Sequence, residues 1–189
     1  MKFLNKSNII TLFVILFLSG CSTGPSKTVA DACTSDPKWY KNEDCPKGYL
    51  CGYGKSGSGR SQTAELGSKS RARNDLTATI SQWTKSEFVD VFQELQGSSE
   101  SAQAFENAMT TDKFVTLIEG EVTSAMVFEK QDDVCKGKNW YWTAVKKDID
   151  GIDFNKLFND VSKSPEVSEK DQKFIEESID WAIDAIKNK

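Results

Sequence analysis

Histidine is absent from this 189-residue chain. That removes the Ser-His-Asp and Cys-His arrangements for nucleophilic catalysis and leaves no imidazole to hold a metal. An excess of positive charge is lacking too: 24 lysines and arginines face 28 aspartates and glutamates, so nucleic acid is not an expected partner. Those 28 acids show no spacing that singles out a pair for glycoside cleavage, and the cysteine spacings match no zinc site. The expectation is a protein without catalytic residues, cofactor or metal. Sustained apolar sequence is also scarce. Ile9 to Leu18 is the one such run, and it is too short to serve as a stable membrane anchor.

The end of that run carries the most informative feature of the chain. Leu18-Ser19-Gly20-Cys21 is a lipobox behind a start that carries Lys2 and Lys6, which reads as a lipoprotein signal peptide over residues 1–20. The Cys21 thiolate becomes the lipidation site and the first residue of the mature chain. The alternative is an ordinary signal peptide with a coincidental cysteine. Acylation, palmitate among the chains, contributes about 0.8 kcal/mol per buried methylene, so several chains anchor stably. The membrane contact is then lipid on Cys21, not polypeptide. Ser22 stands where an aspartate signals inner-membrane retention, which points to the outer membrane, on its periplasmic face or at the cell surface. Cleavage removes two lysines and no acid and leaves 22 basic against 28 acidic side chains.

With Cys21 assigned to lipid, Cys33, Cys45, Cys51 and Cys135 remain as disulfide candidates in a compartment that permits them. The constraint on a long loop favours Cys33 with Cys45 and Cys51 with Cys135. Cys45 with Cys51 is the alternative.

Residues 21–36 are small and polar and form a flexible tether. Residues 37–189 are expected to form a single α+β domain, a small antiparallel sheet packed against several helices and ending in an amphipathic helix. A strand near 49–54 runs into the loop Lys55 to Arg60. A first helix carries Ala64, Ala72, Leu76, Ile80 and Trp83, and a capping-box spacing at Thr84 and Glu87 predicts a second. A strand over Glu87–Phe92 is its alternative. A third helix is predicted from about Glu100 to Ile118. The runs 121–130 and 139–146 alternate and read as a hairpin around a loop at 131–138, with Gly137 in it. Asp153 caps a short helix bearing Phe154, Leu157, Phe158 and Val161, and Ser164-Pro165 opens the last.

Three local patterns invite a ligand. The glycines from Gly52 to Gly59, with Lys55 and Arg60, resemble a phosphate loop, but the spacing to Gly54-Lys55-Ser56 is one residue too long, and a tight turn with two solubilising cations is favoured. An anionic envelope polymer is the ligand that loop would take. Asp148, Asp150 and Asp153 fit a turn and helix cap better than a calcium loop. Trp140 and Trp142 share one strand face and read as core more than as a glycan platform, whereas Trp39 and Tyr40 are better candidates for an exposed contact.

Pro37-Lys38-Trp39, the Gly52-Tyr53-Gly54 strand, and the helix with Ala64, Ala72, Asp75, Leu76 and Ile80 resemble the Lpp-twenty family of bacterial surface lipoproteins. The similarity covers about residues 37–147. It implies an α+β domain, exposure on the outer membrane or surface, and no enzymatic activity; some relatives are associated with the flagellar apparatus and others are known mainly as antigens. The cysteines, the stretch Thr84 to Ile118 and the helix after Pro165 depart from the family. The expected role is an envelope assembly or interaction module, contacting an envelope protein or another copy of itself, with the last helix as its contact; the apolar stripe of that helix reads equally as intramolecular core. The alternative is a glycan- or small-ligand-binding lipoprotein, or the activator of a cell-wall enzyme.

Overall fold

The computed structural model describes residues 35–96 and 99–187, without the side chains of 92–102 and 187. The signal peptide, Cys21, Cys33 and nearly all of the tether lie outside the described residues. Elements follow in the order α1 (Lys38–Asn42), β1 (Tyr49–Ser58), α2 (Ser61–Gln96), α3 (Ser99–Met109), α4 (Asp112–Val122), β2 (Met126–Cys135), β3 (Lys138–Asp148), α5 (Phe154–Ser162) and α6 (Glu169–Lys187). The fold is α+β, a three-stranded antiparallel sheet in the order β1-β3-β2 against several helices.

α2 organises the molecule. Ala64, Ser68, Ala72, Leu76, Ile80, Thr84, Phe88 and Val91 are its buried line, spaced almost uniformly by four residues. At 3.6 residues per turn each such step advances the line by about 40°, so from Ala64 to Val91 it winds through about half a turn. The first half of α2 therefore faces β1 and β3, and the second half faces α3, α4 and α6. This winding corrects the two-helix expectation. Thr84 is fully buried inside one continuous helix and caps nothing.

Close approach to the sheet depends on glycine. A Cβ on Gly52 would run into the Ala72 carbonyl and Leu76, and one on Gly54 into the Ser68 carbonyl and the Ala72 nitrogen. Ser68 Oγ and Thr143 Oγ1, 2.8 Å apart, tie helix to sheet in the buried seam. At the other end of α2, Phe88 packs against Phe105 and Phe158 with ring centroids 5.6 and 4.5 Å away, the centre of an aromatic core.

Several boundaries differ from expectation. β1 continues through Ser58, so Lys55 lies in a strand and not a loop. The single helix expected over Glu100–Ile118 is two, divided where the Thr111 hydroxyl accepts from the Phe114 N–H and caps α4. Glu121 and Val122 end α4 instead of starting a strand, and the hairpin loop is two residues, Lys136 and Gly137, both at positive φ. A tight hairpin turn of that kind matches the twist of its strands and draws Gln131–Cys135 into β2. α6 begins at Glu169, not at Pro165, with the Ser168 hydroxyl accepting from the Asp171 N–H. Asp153 caps α5 as the sequence predicts, its Oδ1 accepting from the Lys156 N–H.

The last helix turns its stripe inward. Ile175, Ile179, Ala182 and Ile183 are core residues, which removes that stripe as a contact for a partner.

Candidate functional site

β1 turns its odd-numbered residues to the sheet face away from α2, and the register sets Lys55 opposite Trp142 and Gly57 opposite Trp140. Lys55 Nζ stands 5.1 Å from the Trp140 ring centroid and 5.3 Å from that of Trp142. One carboxylate oxygen, Asp36 Oδ1, accepts from Lys55 Nζ at 2.6 Å and from the Trp142 indole N–H at 3.0 Å. The Lys55 hydrogen bond is the main reason that the Asp36 carboxyl is held below the usual carboxylate range. Trp142 is buried and Trp140 half-buried, so the expectation of core holds for the first more than for the second.

Beside these rings, β2 supplies Asp133 and Cys135, the hairpin turn Lys136, and the start of β3 Lys138. Together with Lys55 and the two tryptophans they line a cavity of about 240 Å³. Among the described residues Lys136 and Lys138 are in no ion pair.

Of the ligand contacts expected from sequence, Lys55 alone lines this cavity. Arg60 lies beyond the end of β1 and is exposed, so β1 as a strand separates two cations that a loop would have gathered. Trp39 and Tyr40 sit in α1, where Tyr40 meets Trp39 and Tyr53 edge-on with centroids 6.0 and 6.5 Å apart; this cluster is half-buried, not an open contact. Burial, ahead of the nearby Glu43 carboxylate, pushes the Tyr53 hydroxyl up to about 12. Asp36, Asp133, Lys136 and Lys138 carry no motif that singles them out in the sequence. The placement of the last three depends on the hairpin register and its two-residue loop, and that of Asp36 on the segment before α1.

The disulfide expectation is corrected at its preferred pairing. Cys45 bonds Cys51 and closes a six-residue separation with Cα atoms 5.8 Å apart. Cys51 pairs with Lys146 on β3 and Cys135 with Lys138, so eight residues of strand, about 27 Å, separate those two positions and no bridge joins them. Cys135 is disulfide-bonded as well. Asp148 Oδ1 accepts from the Asp150 N–H, so this acid and Asp153 serve the turn and the cap.

The two edges of the sheet differ. At β1 the outward Tyr53 N–H donates to Asp75 Oδ2 at 2.8 Å, and the outward Lys55 carbonyl accepts from Arg71 at 2.6 Å. α2 thereby blocks the middle of this edge. β2 packs on β3 alone among the elements with substantial contact, and it leaves Met126, Val127 and Val134 exposed, Val134 to 64%. No helix among the described residues is long and apolar enough to cross a membrane.

Comparison with family models, with curated proteins and with solved structures gave no match.

Proposed function

We propose that the chain is a non-enzymatic outer-membrane lipoprotein, anchored through lipid on Cys21, that acts as an envelope assembly module by accepting a partner strand along β2. Membership of the Lpp-twenty-like lipoproteins belongs to this proposal, and association with the flagellar apparatus is one setting it allows. The observation that carries the reading is the contrast between edges: β1 is capped by Asp75 and Arg71, while β2 is ten residues long and exposes Met126, Val127 and Val134. An open edge of that length is a template for strand addition. A two-residue loop makes Cys135 and Lys138 a bonded pair, and alternation then turns the backbone groups of Lys130, Asp132 and Val134 outward. Consistent with this, the Val134 N–H folds back onto Asp133 Oδ1 at 2.8 Å.

The test is a photo-crosslinking side chain at Val134 in intact cells, compared with one at Arg73 on the exposed side of α2. The expected result is a discrete adduct from Val134, to an envelope protein or a second copy, that is lost in Asp132→Pro. Proline there removes one outward N–H and no bond to β3. Equal background from Val134 and Arg73 sinks the proposal.

A further inference from the structure

Gly57 has a role that neither a turn nor the helix contact explains. A Cβ at this position would stand 2.7–2.9 Å from three ring carbons of Trp140, closer than real Cβ contacts. The missing side chain lets the indole settle against β1, and the half-buried ring also contributes to the wall of the cavity beside Trp142. The flat apolar wall is therefore built by a strand glycine, not left over from core packing.

The polar groups of the cavity are arranged around that wall. Lys55 is committed to Asp36 and to both rings. Lys136 and Lys138 are exposed at the hairpin end without ion-pair partners among the described residues, and Asp133, whose Oδ1 accepts from the Val134 N–H, is the carboxylate of the lining. With Lys55 neutralised by Asp36, Lys136 and Lys138 against Asp133 leave one positive charge in excess, on a chain whose net charge is −4. A cavity of about 150 Å³ takes a benzene ring, so about 240 Å³ suits one substituted six-membered ring. A ring with an apolar face and an anionic substituent matches the indole and the two ammoniums.

We propose that this cleft binds a terminal acidic sugar, stacked on Trp140 with its carboxylate or phosphate at Lys136 and Lys138. The site lies on the face of the sheet and not along its β2 edge, so it stands or falls separately from strand addition. Two envelope sources carry this chemistry, the carboxylated sugar of cell-wall glycan and the phosphorylated glucosamine of lipopolysaccharide.

The experiment titrates the full mature lipoprotein, in neutral detergent, with N-acetylglucosaminyl-N-acetylmuramic acid, glucosamine 1-phosphate and neutral chitobiose, followed by tryptophan fluorescence and calorimetry. An acidic sugar should bind at least tenfold more tightly than chitobiose, and the tighter of the two acids names the source. Trp140→Ala should abolish binding. Lys136→Asn with Lys138→Gln should erase the acid preference, since asparagine tolerates the positive φ at residue 136. If Trp140→Ala does not fold, Trp140→Phe and the double lysine variant decide. Binding of none of the probes, equal binding of acid and neutral sugars, or a preference that survives the lysine changes overturns the proposal.

Discussion

Asp36 is a single carboxylate serving a lysine and a buried indole through one oxygen. Asp36→Ala leaves the Trp142 N–H without its acceptor and should cost about 1–3 kcal/mol in chemical denaturation, while Asp36→Asn, which keeps an acceptor oxygen, costs less. The pH dependence has a definite sign. The folded protein holds this carboxyl below its ordinary range, so the unfolded chain takes up the proton first as pH falls. The stabilisation is complete above about pH 4 and is lost as pH falls through the folded value, so the difference between wild type and Asp36→Asn should shrink on acidification. Tyr53 is the opposite case. Its hydroxyl is buried with no hydrogen-bond partner, so Tyr53→Phe should be neutral or stabilising within about 0.5 kcal/mol and should remove a tyrosine that titrates near pH 12.

Among the elements, the seam between β1 and α2 tolerates the least change. Gly54→Ala drives a methyl into the backbone of Ser68 and Ala72, which cannot yield as a side chain would, and a loss of about 1–3 kcal/mol is expected in urea unfolding. Gly59→Ala, with nothing within 4 Å, should change stability by less than about 0.5 kcal/mol. Legibility in the sequence tracks periodicity here. The Asp153 cap and the α5 stripe report one neighbour on one face, the strand Trp140 to Val145 sits at the centre of the sheet, and all three are where the sequence places them. The continuity of α2 is not legible in the sequence, because a line that drifts by about 40° at each step leaves the face it began on and puts a polar Thr84, with capping-box spacing to Glu87, in the buried row. β2 was misplaced for the complementary reason. An exposed edge strand buries too little for alternation to show, and its error hid the cavity residues Asp133, Lys136 and Lys138.

At the scale of the whole molecule, α6 closes the core that α2 and α3 begin, with Phe174 6.1 Å from Phe105 and four further core residues behind it. A chain ending at Ser164 should therefore lose its cooperative thermal transition. Removing a buried isoleucine side chain costs about 2–5 kcal/mol, and three of them go, against a typical total stability of about 5–15 kcal/mol. The asymmetry of the sheet edges bears on number as well as on place. Asp75 and Arg71 occupy two of the outward groups that a strand at β1 would need, so the proposed strand addition at β2 would have a valence of one. Two copies joined edge to edge through β2 present only their blocked β1 edges, so such pairing ends at the dimer and has no route to a growing fibre.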